Sequence, residues 1–386
     1  MKGWPKVALG ELVTQIDRAE SVRPDGEYRL LGVRLEGNGA FHRETVAGTE
    51  TSASRLSRVE RGDFIYSRLF AWRGAFGVIG ADLDGCFVSN EFPLFRVDES
   101  RLNANYLNRW FQLPATWRRV EEDCTGSTPT TRNRFKEGFF LKLEVPLLPL
   151  AEQQALVARL DALAEKTRQL ETHLDAAERD AENLLRSYIF HPSGGAVRKR
   201  PMSELLSQRQ PDVLVDAAVQ YRFAGVYSFG RGVFASAVKN GGEFAYERLS
   251  TVRTGDFIYP KLMAWEGALG VVPAECDGMV VSPEFPVFSV NTDEVLPEVL
   301  DIYFRIPEVW PALAELSGGT NLRRRRLQPS SFLNYEMPVP SMATQQKLRD
   351  LYYRTQALKT KHSVIRQANA ALLPAMLERV FSQSPR

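Results

Sequence analysis

Two arginine-rich loops contain the residues whose types and spacing best fit a chemical task. Both loops begin with Gly, Ser and Thr residues and end in arginines. Free backbone N–H groups and hydroxyls in such turns bind phosphate oxygens, and arginine binds phosphate through paired hydrogen bonds. The net charge of the whole chain is only +2, so this positive charge is local. We predict contact with nucleic acid; an ordinary solvated loop is the alternative. The predicted residues are Ser127, Thr128, Thr130, Arg132, Arg134, Thr320, Arg323, Arg324, Arg325 and Arg326.

A second basic pair follows two strand-like segments. Arg68 comes soon after Tyr66, and Lys261 comes soon after Tyr259. An arginine can donate two hydrogen bonds to guanine in the major groove, which discriminates against the wrong base by about 1–3 kcal/mol. An ordinary cation at the end of a strand is the alternative, and for Trp72 a place in the core is favoured over base stacking. The residues predicted here to contact DNA are Tyr66, Arg68, Trp72, Arg73, Tyr259 and Lys261.

No catalytic motif is recognisable in the sequence. The four histidines are scattered, without the spacing of a metal site. Cys86, Cys124 and Cys276 are odd in number and far apart, which fits a reducing compartment without disulfides. There is no Walker loop, no signal peptide and no apolar run of about 18 residues. We therefore expect a non-catalytic, cytoplasmic chain without a metal site or a membrane span.

The basic residues lie at equivalent points of an internal repeat. Gly62–Asp98 matches Gly255–Asn291 at an offset of 193 residues without a gap. About 22 of the 37 positions are identical, and a period this long indicates two copies of a domain. Short strand-like runs bounded by Gly and Pro fill each copy, with a helical segment near its end. The predicted fold class is α+β, with two globular domains of mixed strands and helices.

A long helix with a coiled-coil pattern follows each copy. Residues 151–190 and 343–380 carry apolar residues at alternating steps of four and three. The first range holds about 8 acidic and 5 basic residues and the second about 2 acidic and 7 basic, so we predict an antiparallel pair. A Gln-Gln pair opens both helices, which places a single deletion just before them. The predicted coiled-coil and partner-binding residues are Leu156, Leu160, Leu163, Leu170, Leu174, Leu348, Leu351, Leu358, Ile365 and Leu372.

Residues that the two copies share have a different predicted role from those that differ. Asp63, Trp72 and Glu91 occur in both copies, so we interpret them as framework. Residues that read a sequence are predicted where the copies differ, at 67–73 and 260–266. The predicted boundaries are 1–150 for the first globular domain, 151–190 for the first long helix, 191–201 for a linker, 202–342 for the second globular domain and 343–386 for the C-terminal helix.

Four motifs occur in a fixed order: GDFIYSRLFAWRGAFGV, SNEFPLF, TGSTPTTRNRF and VPLLPLAEQQALVARLDAL. In this order, over essentially the whole chain, they resemble the specificity (S) subunit of a Type I restriction-modification system. The resemblance implies two target-recognition domains, each reading one half of a bipartite, interrupted site in double-stranded DNA. It also implies that the coiled coil sets the spacing and docks two methyltransferase (M) subunits, with restriction (R) subunits joining them. S-adenosylmethionine, ATP and magnesium would belong to the partners, and this chain would hold no cofactor.

Two other functions remain open. One is the recognition subunit of a Type IIG or IIB-like modification system with a separate enzyme chain. The other is a coiled-coil interaction protein with no role on DNA. Because the two copies are so alike, we further expect the two half-sites to be related, giving a nearly palindromic interrupted target.

Overall fold

The chain divides into two compact units, each with strands and helices of its own. Unit 1 consists of residues 1–171 and 365–386, and unit 2 of residues 172–364. The predicted α+β class, with two globular parts and two long helices, is confirmed. The structure, a computed structural model, describes residues 4–125, 133–191, 197–318 and 325–382.

Unit 1 is built on three sheets among its described residues, with strand orders β1–β11, β2–β10–β7–β8 and β3–β6–β9–β4–β5. All neighbouring strands are antiparallel except β4 and β9. The strands are β1 Lys6–Ala8, β2 Val13–Ile16, β3 Ala19–Ser21, β4 Glu27–Val33, β5 Ala40–Ala47, β6 Arg55–Arg58, β7 Phe64–Tyr66, β8 Phe76–Val78, β9 Phe87–Val88, β10 Leu94–Val97 and β11 Glu144–Pro146. The helices are α1 Ala104–Trp110, α2 Pro114–Glu122, α3 Glu137–Phe140 and α4 Leu150–Phe190, which continues into unit 2, with 3-10 turns at Leu9–Glu11, Ala71–Arg73 and Ala81–Leu83.

Unit 2 repeats this plan, with strand orders β12–β22, β13–β21–β18–β19 and β14–β17–β20–β15–β16. The strands are β12 Arg198–Pro201, β13 Leu206–Arg209, β14 Val213–Leu214, β15 Gln220–Tyr227, β16 Gly232–Asn240, β17 Arg248–Thr251, β18 Phe257–Ile258, β19 Gly270–Val271, β20 Val280–Val281, β21 Val287–Val290 and β22 Glu336–Val339. The helices are α5 Met202–Leu205, α6 Pro297–Phe304, α7 Trp310–Leu316, α8 Pro329–Leu333 and α9 Met342–Ser382, which continues into unit 1. Its 3-10 turns are Gly241–Glu243, Ala264–Glu266, Ala274–Cys276 and Pro307–Val309.

An aromatic core lies against the four-stranded sheet of each unit. In unit 1, Phe64 and Tyr66 of β7, Phe95 of β10 and Phe140 of α3 are fully buried. The ring centroids of Phe140 and Phe95 are 4.4 Å apart, and those of Phe140 and Tyr66 are 5.1 Å apart. Burying rings of this size supplies much of the apolar stabilisation of such short strands. The equivalent residues of unit 2 are Phe257, Tyr259, Phe288 and Phe332.

The one-residue difference between the copies lies elsewhere than predicted. Phe332 takes the place of Phe140, at an offset one residue shorter than that of the strands before it. Isolated bridges Thr125–Arg134 and Gly318–Arg326 already contain the change, because their first members keep the long offset and their second members have the short one. The deletion therefore lies in the arginine-rich loop. Its predicted place, directly before the long helices, is wrong.

A left-handed glycine shapes the turn before β8 in unit 1 and before β19 in unit 2. Gly74 has φ 75° and Gly267 also has φ 75°, a conformation that side chains disfavour. A Cβ atom at either position would overlap the indole ring of Trp117 or Trp310, respectively. The repeated Trp-x-Gly of the sequence is therefore explained by close packing of the turn against α2 and α7.

In unit 1, the start of α4 runs antiparallel to the end of α9. Leu160 shares a buried cluster with Leu377. Nearer the middle of α4, the amide of Asn369 donates to the Thr167 carbonyl at 3.1 Å and to Glu171 Oε1 at 2.7 Å. Positions that rise along α4 thus meet positions that fall along α9.

In unit 2, the end of α4 runs antiparallel to the start of α9. His362 Nδ1 lies 2.8 Å from Glu178 Oε1, and Lys359 Nζ lies 2.5 Å from Glu182 Oε1. Leu348 is fully buried in the main cluster of this unit. Polar pairs therefore alternate with apolar contacts along the helix pair, as in coiled coils whose register is fixed by buried polar residues.

Of the ten leucine and isoleucine positions predicted for the coiled coil, three are buried, five are half-buried and two are exposed. Leu160, Leu174 and Leu348 are buried as predicted. Ile365 and Leu372 are 41% and 49% exposed, so they are not buried between the helices, and partner binding by these two residues stays a prediction. The remaining predicted positions are half-buried: Leu156, Leu163, Leu170, Leu351 and Leu358.

At three predicted positions the next residue along the helix is the more buried one. Val157 is more buried than Leu156, and Leu373 is more buried than Leu372. Arg366 takes the inward place next to Ile365, because its Nε lies 3.2 Å from Glu171 Oε2. The predicted pattern of four- and three-residue steps also passes through Thr355, His362 and Asn369, and these polar residues are buried.

Candidate nucleic-acid interface

Three backbone segments of unit 1 meet at the base of the first arginine-rich loop. The Arg68 N–H donates to the Glu91 carbonyl at 2.9 Å, and the Phe135 N–H donates to the Arg68 carbonyl at 2.9 Å. Thr125 and Arg134 exchange two backbone hydrogen bonds, each of 3.0 Å, across the ends of the loop. We call the group of Arg68, Glu91 and Arg134 the loop-base site of unit 1. The fold thus brings together two of the basic residues predicted from the sequence.

Both arginines of this site face carboxylates. Arg134 Nη2 lies 2.8 Å from Glu91 Oε1, and the Arg134 side chain is 53% exposed. The Arg68 guanidinium donates to the Glu137 carboxylate and to the Asn90 carbonyl. Burial raises the pKa of Glu137, but the hydrogen bond and the charge of Arg68, together with a backbone hydrogen bond, outweigh it and leave that pKa below its usual value. With all four groups ionised, two cations are balanced by two anions.

Unit 2 has an equivalent loop-base site made of Lys261, Glu284 and Arg326. The Lys261 N–H donates to the Glu284 carbonyl and the Leu327 N–H donates to the Lys261 carbonyl, both at 2.9 Å. Arg326 Nη1 lies 3.3 Å from Glu284 Oε1, a looser contact than in unit 1. Lys261 Nζ donates to the Pro283 carbonyl at 3.0 Å instead of to a carboxylate.

The two loop-base sites differ in charge. Pro329 occupies the place that Glu137 has in unit 1, so the second carboxylate is missing from unit 2. Half-buried Arg325 adds a further cation beside Arg326. The described residues around the unit 2 site therefore carry a net positive charge, whereas the two arginines of the unit 1 site are balanced by Glu91 and the adjoining Glu137.

The remaining predicted residues lie at three kinds of place. Tyr66 and Tyr259 are fully buried, and burial raises the pKa of both phenols. They have no surface for DNA to contact, so predicted contact by these two tyrosines is wrong; their strands turn this face to the aromatic core. Trp72 is half-buried and donates to the Leu69 carbonyl at 3.0 Å, which fits its interpretation as a core residue. Arg73 is exposed, with its guanidinium carbon 5.9 Å from the Trp72 ring centroid.

Several predicted phosphate-binding residues lie outside the described residues, and contact through them stays a prediction. They are Ser127, Thr128, Thr130, Arg132, Thr320, Arg323 and Arg324.

Sequence analysis missed a hairpin turn that docks beside the predicted reading segment of unit 1. Glu36 has φ 60°, and its N–H donates to the Arg73 carbonyl at 2.8 Å. The Gly37 carbonyl accepts from Gln112 Nε2 at 2.9 Å. The repeated Gly-x-Gly of the turn was a usable signal for its shape. Its docking was hidden because the partner atoms at Arg73 belong to the backbone.

Unit 2 docks the equivalent turn with different side chains. Phe229, with φ 63°, donates its N–H to the Glu266 carbonyl at 2.8 Å. The Gly230 carbonyl accepts from Arg305 Nη1 at 3.0 Å. Arg305 is in turn paired at 2.7 Å with Asp301, which is almost fully buried. An ionic pair in unit 2 therefore does the work of an amide in unit 1.

The first glutamine of each Gln-Gln pair is buried and joins the start of a long helix to the globular domain through hydrogen bonds. Gln153 is fully buried, and its Nε2 donates to the Arg101 and Leu148 carbonyls at 2.9 and 2.8 Å. Its Oε1 accepts from the Asn103 N–H at 2.8 Å. Gln345 makes the same three hydrogen bonds in unit 2, to the Glu294 and Pro340 carbonyls and from the Leu296 N–H. The repeated dipeptide marked these residues, but its role required the structure.

A buried ion pair braces the start of the repeated segment in each unit. Arg18 Nη1 lies 2.5 Å from Asp63 Oδ2, and Arg209 Nη1 lies 2.5 Å from Asp256 Oδ2. Asp63 also accepts the Glu60 N–H at 2.8 Å. Framework is therefore the role the structure gives Asp63, in agreement with its interpretation from the sequence.

Within the described ranges, no group of three or more His, Cys, Asp and Glu side chains is placed to hold a metal ion. The helices of the same ranges include none that combines the length and the apolar character needed to cross a membrane.

Comparisons with known proteins find similarity in structure only. No protein-family model and no curated protein matches the chain. The HsdS subunit from Thermoanaerobacter tengcongensis is 17% identical, with a TM-score of 0.59 over 99% of this chain and 97% of that one. A chain from a structural study of complex assembly and conformational transition of the type I R-M system is also 17% identical, with a TM-score of 0.69 over 98% and 97% of the two chains. The chain therefore has the fold of an HsdS subunit, and its resemblance to Type I specificity subunits is confirmed at the level of the fold.

Proposed function

We propose that the chain is the DNA-recognition subunit of a Type I restriction-modification complex. The observation that carries the proposal is the duplicated loop-base site, a basic residue pair at the same place in both units of a chain with the full-length HsdS fold. A duplicated reader suits a bipartite site, because each unit can contact one half. Phosphate contacts position such a protein on the duplex, and contacts to base edges supply the specificity.

Each part of the chain has a role in this proposal. Arg134 and Arg326 contact phosphates at the two half-sites, together with the arginines of the loops that they close. Exposed Arg73 lies in the segment where the copies differ and is a candidate for base reading, as are Arg68 and Lys261. The paired helices α4 and α9 dock two methyltransferase subunits and set the length of the unspecified spacer.

Catalysis is assigned to the partners. Methyltransferase subunits would bind S-adenosylmethionine, and restriction subunits would bind ATP and magnesium. The chain itself would be non-catalytic and would act in the cytoplasm, where its DNA substrate lies. Two alternative functions predict different experimental results. They are a Type IIG or IIB-like recognition subunit and a coiled-coil protein without a role on DNA.

Methylome sequencing tests the proposal. The chain is expressed with its methyltransferase partner in a host that lacks this modification, and a host with the partner alone is the control. We expect adenine methylation at one bipartite, interrupted motif that depends on this chain. Methylation that is absent or independent of the chain would reject the proposal, and two unrelated half-sites would reject the expected near-palindrome. Copurification with a single fused nuclease–methyltransferase would favour the Type IIG or IIB alternative.

A further inference from the structure

In both units the arginine at the base of the loop is held by a glutamate of the same repeated motif. Arg134 pairs with Glu91 at 2.8 Å, and Arg326 pairs with Glu284 at 3.3 Å. We propose that Glu91 and Glu284 are specificity-determining residues that withhold these arginines from the phosphates of non-cognate DNA. The inference rests on the proposed function and assigns a role to two acidic residues at a site that is proposed to bind phosphate.

These ion pairs are more exposed to solvent than the Arg–Asp pairs at the start of the repeated segment, and they can therefore open more easily. The Asp63 side chain is fully buried, and it binds both Arg18 and a backbone N–H. The Arg134 and Glu91 side chains are 53% and 26% exposed and share one contact. Because a partly exposed ion pair contributes only about 0–1 kcal/mol, a phosphate that other contacts hold close to the loop base can replace the carboxylate.

Glu91 is also incompletely satisfied. Its Oε2 atom is buried and accepts no hydrogen bond from the described residues. Buried polar atoms of folded proteins nearly always have a partner, so an unused acceptor needs an explanation. Nearby Arg68 cannot supply it, because its guanidinium is directed to Glu137 and to the Asn90 carbonyl. A carboxylate that serves only as an anchor would be expected to use both oxygens.

The exchange of partners needs no covalent change. On non-cognate DNA, the arginine remains with its glutamate and neutralises no phosphate, while the carboxylate repels the backbone. On cognate DNA, contacts to base edges hold the backbone close to the loop base. The arginine then moves to a phosphate, with which it can form two parallel hydrogen bonds. Discrimination arises because only the cognate complex repays the opening of the pair.

Salt dependence separates this device from a structural ion pair. We would measure binding of the full-length chain, assembled with its methyltransferase partners, to a cognate duplex and to a scrambled duplex over a range of salt concentrations. For Glu91→Gln, the slope of log Kobs against log salt on scrambled DNA should steepen by about 0.9, one phosphate contact, and for Glu91→Gln/Glu284→Gln by about 1.8. The slope on cognate DNA should not change. Affinity for scrambled DNA should rise several-fold, so that discrimination falls.

Two variants control for general charge effects. Glu99→Gln removes an equal charge from an exposed glutamate of unit 1 and should leave both slopes unchanged. Adding Arg134→Gln to Glu91→Gln should cancel the steeper slope, because no arginine is then released.

Each outcome decides between the alternatives. Wild-type protein that does not prefer the cognate duplex would reject the proposed function and this inference with it. If the wild type prefers the cognate duplex but Glu91→Gln leaves the scrambled slope unchanged, the inference alone is overturned. Weaker binding of Glu91→Gln to both duplexes would also overturn it, since the glutamate would then be an anchor of the loop.

Discussion

Replacing Gln153 with leucine should destabilise unit 1 far more than the same change at Gln154. Gln153 is fully buried and makes three hydrogen bonds, whereas its neighbour Gln154 is exposed. Leucine has a similar volume, so the main effect is the loss of the amide. The substitution leaves the Leu148 carbonyl without this partner in a buried place, and the Asn103 N–H and the Arg101 carbonyl without it in a partly buried one.

The expected cost follows from those three groups. Removing a hydrogen bond in the interior costs about 1 kcal/mol, and a buried partner left unsatisfied costs about 1–3 kcal/mol. Relaxation around the site reduces the sum, so we expect a loss of about 2–4 kcal/mol in the free energy of unfolding. A unit of roughly 200 residues loses about 2–4 °C in Tm per kcal/mol, which gives a decrease of about 4–16 °C. Gln154→Leu should stay within about 0.5 kcal/mol of the wild type.

Two measurements check this prediction. Calorimetry gives the Tm of each variant, and hydrogen exchange reports protection of the Asn103 amide, which is useful because two units need not unfold in one transition. Gln345→Leu and Gln346→Leu form the same matched pair in unit 2. If Gln153→Leu has the same Tm as Gln154→Leu and the Asn103 amide stays protected, the buried glutamine does not hold the helix to the domain, and the prediction is wrong.

Three further changes test other parts of the structure. Arg305→Gln should cost about 3–5 kcal/mol in the free energy of unfolding, because it leaves the buried Asp301 carboxylate without its cation. Asp301→Asn/Arg305→Gln should recover most of the loss, since unit 1 has an amide pair at these positions. A double-mutant cycle of unfolding free energies that shows no recovery would contradict this. Gly74→Ala should cost about 1–3 kcal/mol in the free energy of unfolding, because the left-handed turn contacts an indole ring. Gly138→Ala places its methyl group in open space and should be neutral or stabilising in denaturant titrations. Equal effects of the two substitutions would argue against the close contact. Replacing Arg323–Arg326 with alanine should weaken DNA binding and flatten its salt dependence by about 0.9 for each phosphate that the loop no longer neutralises, and an unchanged slope would show that this loop faces solvent.

The repeat made most of the fold predictable. Two copies of one pattern identify two units, and strand-like runs between glycines identify the sheets. The burial of Tyr66 was harder to predict, because three consecutive residues of β7 are buried and the alternation of an ordinary half-exposed strand is absent. Phe139 and Phe140 are adjacent aromatics, so the sequence alone could align either one with Phe332.

The loop-base site was only partly predictable. Arg68 and Arg134 stand out by their charge, but their proximity depends on backbone hydrogen bonds between segments far apart in sequence. The role that we propose for Glu91 could not be predicted, because a residue shared by both copies was interpreted as framework. The predicted stripe of the second long helix holds at buried Asn369, but it fails at Ile365 and Leu372, which are exposed.

The backbone bridge at the base of each loop separates the arginine-rich loop, which is proposed to bind DNA, from the aromatic core, which stabilises the fold. Thr125–Arg134 and Gly318–Arg326 close their loops with the same paired hydrogen bonds, although the first loop is one residue longer. The one-residue difference between the loops is therefore not transmitted to the aromatic core, which is built from equivalent residues in both units. Between the two copies the loop differs in length and composition while the bridge and the core are kept. Such a chain can acquire a new binding preference through small genetic changes, without first losing its stability.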